Sequence, residues 1–247
     1  LADPRWAEMA RAFGFGDGRG ALTATFGFAE EIAAQWRVHA FESAVREQDA
    51  DVGRALTFDD AVRALAEAGL SAREGWARAL GHGAVGFVLS RALDLPDGFA
   101  GMRADEQVTL AMAAARDLTG SDRIDALATD RFRETMLRDF FSARADEADA
   151  RPTGLAQPLL PLSGLAGWNF LSRTLETQQA RFASSFEVTR ELDYFRENIG
   201  AVETAEDLVS DRRMLAVALQ AFGLSEEIGK SAFIERVLEQ GTERGDA

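Results

Sequence analysis

The sequence predicts an all-α protein, a multihelical, bundle-like orthogonal array, and three observations predict it. Apolar residues recur at helical spacing through most of its 247 residues. Capping residues and glycines punctuate those stripes at intervals suited to short helices. Sustained period-two alternation bounded by hairpin turns is missing, so strands are expected to be few or absent.

The helices follow in order. Asp3 is a candidate N-cap with Pro4 at the first helical position, and Gly14 stops that helix after Phe13. A long helix is predicted from about Phe26 to Glu47, with Phe28, Ile32, Trp36, Phe41 and Val45 on its buried side. Ser71 and Glu74 have capping-box spacing, and Gly81 closes that helix. Ala84–Leu93 comes next and stops at the Pro96-Asp97-Gly98 turn. Ala104–Leu118 and Asp130–Ala145 follow, the second capped by Thr129.

Three of the five prolines, Pro152, Pro158 and Pro161, fall within a stretch that has no helical period and cannot donate backbone hydrogen bonds at its prolines. Residues 146–163 are therefore expected to link a helical segment 1–145 to a second one, 164–247, the two packing as one body. Leu155–Leu165 is apolar for a linker and is expected to dock onto the body or onto a partner.

Beyond the linker, Trp168, Leu171, Leu175 and Phe182 form one stripe on a helix ending near Ala183. Phe186, Leu192, Phe195 and Ile199 mark the next, with Ser184 and Ser185 as its cap. Thr204 with Asp207 forms a capping box, Asp211 caps an apolar helix ending at Gly223, and Ser231–Gln240 is the last. Residues 1–15 and 209–224 echo each other, each an Asp cap, an Ala-rich helix and an Ala-Phe-Gly stop. Shared helix-end chemistry and an internal duplication both account for this.

Composition narrows the function classes. A net charge of −14 opposes nucleic acid and anionic lipid, and no stretch reaches the roughly 20 apolar residues that cross a bilayer. Membrane insertion is not expected. The absence of cysteine removes disulfides, thiolate metal sites and cysteine nucleophiles. Lys230 is the sole lysine among 27 basic residues, which reads as the mark of a GC-rich genome. The N-terminal LADPRWAEMA lacks the basic lead and apolar run of a secretory signal, and without Met, position 1 is not taken as the translational start. A cytoplasmic location is expected.

Each candidate site has a plainer explanation. GHGAVG, Gly81–Gly86, fits G-x-G-x-x-G, but a capped helix precedes it where a dinucleotide site needs a strand, so a helix-helix turn is expected. Gly14–Gly20 has neither the Lys-Ser/Thr of a P-loop nor EF-hand ligand spacing and reads as a connection. His39 and His82 sit in separate elements without metal-site context. In the pairs Glu30-Glu31, Asp59-Asp60 and Glu226-Glu227 the neighbours point about 100° apart on a helix, so they form no shared carboxylate dyad and read as solvated helix starts. Seventeen Phe and four Trp against one Tyr favour burial over recognition. No catalytic, cofactor-binding or metal-binding residue is predicted, and no cofactor.

Six stretches, 161–185, 193–224, 232–242, 1–18, 41–56 and 87–99, carry a resemblance. They include PLSGLAGWNFLSRTLETQQARFASS, AFIERVLEQGT and LADPRWAEMARAFGFGDG. Together they resemble an uncharacterised alphaproteobacterial family, catalogued as a domain of unknown function, whose genes are often found among flagellar genes. That family is multihelical, and the resemblance carries over no catalytic residue. In the family the SGLAGWNFL segment lies near the N-terminus and the LADPRW-like segment follows the VLEQGT-like one. The resemblance therefore implies a circular permutation, with 155–247 preceding 1–150 and the two halves forming one body. It implies a non-enzymatic cytoplasmic protein that assists flagellar assembly or regulation by binding proteins, its acidic surface favouring basic or amphipathic partner helices. The alternative is an enzyme or small-ligand-binding protein whose site is assembled from residues distant in sequence. A structural flagellar subunit is a third reading. The oligomeric state is left open.

Overall fold

A computed structural model describes residues 4–16, 20–144 and 160–240. Twelve α-helices and no strand occur among them. The helices are α1 (Pro4–Phe13), α2 (Phe28–Gln48), α3 (Ala50–Glu67), α4 (Ala72–Gly81), α5 (Gly83–Ala92), α6 (Ala104–Thr119), α7 (Asp130–Arg144), α8 (Gly164–Ala183), α9 (Phe186–Asn198), α10 (Ala205–Ser210), α11 (Arg212–Ala221) and α12 (Ser231–Gln240). A five-residue 3-10 helix, Ile124–Ala128, precedes α7.

The chain divides into two compact units, Leu1–Phe41 with Glu176–Ala247, and Glu42–Leu175. Both boundaries fall inside helices, α2 and α8, and the Pro-rich stretch connects two helices whose facing ends belong to the second unit.

In the first unit, the buried faces of α1, α9, α11 and α12 gather around Phe13, Leu192, Phe195, Leu219 and Leu238. Phe13 meets Phe28 edge-on at 5.2 Å, and Trp6 of α1 meets Phe233 of α12 at the same separation. The two Ala-Phe-Gly stops end their helices alike, with Gly14 at φ +73° and Gly223 at φ +67°, a conformation only glycine adopts without strain. Their phenylalanines, Phe13 and Phe222, lie 6.4 Å apart, and the Arg5 guanidinium donates to the Gly223 carbonyl. Asp211 caps α11 by accepting from the backbone N–H groups of Arg213 and Met214 at 2.9 and 3.0 Å. Thr204 and Asp207 form the expected reciprocal box on α10.

Several expectations need correction here. Gly27, at φ +86°, delays the start of α2 to Phe28 and leaves Phe26 fully exposed. Trp36 is only half-buried. Phe186 starts α9 but is 77% exposed, since it sits in the first turn off the buried face of Val188, Leu192 and Phe195. Ser185 does occupy the N-cap position of α9 with extended backbone, but its side chain makes no capping bond, and Ser184 donates back to the Arg181 carbonyl. Asp3, the candidate cap of α1, lies outside the described residues.

The second unit is built around α3, a helix with no counterpart in the sequence reading. Its buried residues Val52, Gly53, Ala55, Leu56, Phe58, Val62 and Leu65 cover most of its circumference, so no narrow apolar stripe betrays it. Asp59 and Asp60 therefore lie in mid-helix, not at a solvated start. Gly53 permits a close crossing with the end of α2, since a Cβ there would fall 2.8 Å from the Arg46 Cα. Gly75 likewise lets α4 approach Ile124, whose Cγ2 would be 2.7 Å from a Cβ.

Ser71 and Glu74 make the expected capping box on α4, and Trp76 anchors that helix by donating from Nε1 to the Asp122 carbonyl at 2.8 Å. GHGAVG is a corner between two helices: α4 ends at Gly81, His82 is the joint, and α5 begins at Gly83. The Thr129 hydroxyl donates backwards to the Ala126 carbonyl at 3.4 Å.

One joint organises the start of α8. The Asp49 carboxylate caps α3 through Asp51 and Val52 and, with its other oxygen, accepts from the Gly164 N–H at 2.7 Å. Next to it, Gln48 Oε1 accepts from the Leu160 N–H at 2.9 Å. Of the apolar Leu155–Leu165 stretch, Leu160 is buried and Leu162 exposed, while residues 155–159 lie outside the described residues.

Candidate groove on the second unit

Three helices of the second unit, α3, α7 and α8, frame an open cavity of about 550 Å³. Its floor is apolar, with Leu56 from α3, Leu137 from α7, and Leu165, Trp168, Leu171 and Leu175 from α8. The i, i+3, i+7 rhythm along α8 that predicts a buried stripe is also what lines the groove.

Four arginines, Arg63, Arg133, Arg138 and Arg173, line it with only two carboxylates, Asp59 and Glu134. The arginines divide into two kinds. Arg133, with 9% of its side chain exposed, is held on every side: Nε donates to Asp59 at 2.6 Å, Nη2 to Asp130 at 2.7 Å, and Nη1 to the Ala128 carbonyl. Burial opposes its charge, and the two carboxylates outweigh burial and hold the guanidinium above the ordinary arginine range. Arg63 reaches the other oxygen of Asp59 at 3.0 Å, so that carboxylate is shared. Arg138 and Arg173, in contrast, are exposed, and their guanidinium groups bond no described residue. The fixed ions set the wall of the groove, and Arg138 and Arg173 stand exposed along it.

Trp168 adds a third polar feature. The residue is largely buried in the floor, and its indole N–H makes no hydrogen bond to a described residue, in contrast to that of Trp76. A second cavity of about 370 Å³ shares Asn169 and Arg173 with the first and is floored by Leu162, Ala166 and Phe170.

Near this region the Asp60 carboxyl is pushed up to about 6, by partial burial first and then by the neighbouring Glu42 and Asp59 carboxylates. Acids placed this close resist joint ionisation.

The candidates weighed from sequence do not converge. His39 belongs to the first unit, where it approaches Gly223, and His82 is the exposed joint of the second. Asp17, Gly18 and Arg19 of the glycine-rich stretch lie outside the described residues. Among the described residues no group of three or more His, Asp or Glu side chains could hold a metal ion. No described helix is long and apolar enough to cross a membrane. Sequence reasoning placed Trp168 on a buried stripe but missed Arg138 and Arg173, which no motif distinguishes from the other arginines.

Residues 1–150 match the model of a family described as "Protein of unknown function (DUF1217)", and the chain belongs to that family. No curated protein matches the chain, and no solved structure does.

Proposed function

We propose that this family member is a non-enzymatic cytoplasmic protein that assists flagellar assembly or regulation by binding other proteins, with the groove of the second unit as its docking surface. The observation that carries the reading is the groove itself, whose leucine floor is edged by two guanidinium groups that bond no described residue. Such a surface is suited to grip and orient a partner, because the floor supplies burial and the charges supply register. The flagellar context rests on the resemblance of six segments to a family often encoded among flagellar genes.

Affinity capture from flagellated cells, combined with deletion of the gene, tests this reading. Recovery of a flagellar component and a loss of swimming are expected. Intact swimming with no flagellar component captured would refute it.

The cavity volume favours a second reading, since about 550 Å³ lies within the usual range for small-molecule sites. Thermal unfolding against a panel of amphiphilic carboxylates separates the two. A saturable rise in Tm for one compound, lost in Arg173→Ala, would support ligand binding.

The segment order is read as a circular permutation, with 155–247 preceding 1–150. Two observations support it: the family match ends at residue 150, and α1 packs against α12 through Trp6 and Phe233. Leu1 and Ala247 themselves lie outside the described residues. A chain reordered as 155–247 followed by 1–150 is expected to fold with unchanged helicity and a Tm close to that of the present chain. Failure of that chain to fold would overturn the idea.

A further inference from the structure

We infer that the groove takes an amphipathic α-helix of a partner protein whose apolar face is flanked by carboxylates. This rests on the protein-binding reading and specifies the partner's chemistry.

Shape comes first. The lining residues on α8 run from Leu165 to Leu175, which at 1.5 Å per residue makes a channel on the order of 15 Å long, about three turns of a docked helix. The second cavity extends the apolar floor past Asn169 and Arg173 to Leu162 and Phe170. A leucine floor along such a length suits the i, i+3/i+4, i+7 anchors of a helix.

Charge sets the sign. The chain carries −14 overall, yet here arginines outnumber carboxylates two to one. Asp59 is already shared between Arg63 and Arg133, so the groove presents Arg138 and Arg173 to incoming acids. A basic partner helix, favoured by the overall charge, is disfavoured at this place.

The full chain is titrated into fluorescein-labelled synthetic helices of about 16 residues, long enough to be helical alone. One carries leucines flanked by glutamates, a second has lysines in place of the glutamates, and a third is a scramble of the first. Anisotropy is expected to show binding of the first peptide only, weakened by salt. Arg138→Glu with Arg173→Glu is expected to weaken it about tenfold or more and to allow the lysine peptide to bind. Both positions are exposed, and unchanged circular dichroism verifies that the variant folds.

Equal binding of acidic and basic peptides, or no effect of the double reversal, would overturn the proposal. So would binding of dodecanoate with no peptide binding at all. Loss of swimming on deletion without peptide binding retains the flagellar role and rejects the helix partner. Peptide binding with normal swimming does the reverse.

Discussion

Replacing Arg133 by alanine tests the division of labour among the groove arginines. The substitution removes three bonded nitrogens at once. The bond to Asp130 counts for little, because that carboxylate is 86% exposed and an exposed ion pair is worth about 0–1 kcal/mol. The bond to Asp59 counts for more: the carboxylate is 16% exposed and keeps only Arg63, itself half in solvent. Breaking a fully buried pair costs about 3–5 kcal/mol, and the surviving Arg63 contact brings this nearer to 2. Leaving the Ala128 carbonyl without its donor adds roughly 1 kcal/mol. A loss of about 3 kcal/mol is expected, whereas Arg138→Ala and Arg173→Ala are each expected to stay within about 0.5 kcal/mol. Urea unfolding followed by far-UV circular dichroism gives the three values, and hydrogen exchange across 124–141 localises the first. Similar losses for all three variants, or a neutral Arg133→Ala, would refute the distinction between fixed and available arginines.

Other perturbations probe the framework. Asp49→Ala removes the α3 cap and the acceptor of the Gly164 N–H, and denaturant unfolding is expected to show a loss of about 2–3 kcal/mol. A neutral result would mean that the joint does not hold α8. Gly75→Val is expected to lower Tm by several degrees, because its Cβ would meet Ile124 at 2.7 Å, while Gly98→Ala, with open space around it, should leave Tm nearly unchanged. For Asp60 the folded-state pKa is raised, so the native state holds a proton that the unfolded chain releases. Its stabilising contribution is present below about 3.8 and is lost as pH rises through about 6. Asp60→Asn is therefore expected to be more stable than the parent at pH 7.5, with the difference vanishing toward pH 4. A pH-independent difference in unfolding free energy would show that Asp60 titrates normally.

Helix ends were the most legible part of the fold, because their chemistry is local. Ser71 with Glu74, Thr204 with Asp207, Asp211, Gly14 and Gly223 each act within a few residues of themselves, and all five stand where the sequence places them. Helix α3 was illegible for the opposite reason. Being buried on most sides, it shows neither a stripe nor a polar face, and its Asp59-Asp60 pair imitates a solvated start. Phe186 misled in the other direction, since an aromatic residue in a helical rhythm need not be on the buried side of the first turn. The groove combines α3, α7 and α8, so it could not be read before α3 was known. Its defining property is which arginines lack partners among the described residues, and only three-dimensional packing decides that.

Site-specific photo-crosslinking in living, flagellated cells tests the central claim most directly. A photoreactive amino acid is placed at Ser172, exposed on the groove, and at Ala77, exposed on α4 away from the groove lining. The account predicts a discrete adduct with a flagellar protein from position 172, none from position 77, and loss of the adduct when Arg138 and Arg173 are both changed to glutamate. Equal adducts from both positions, or none from 172 in cells that swim normally, would contradict it.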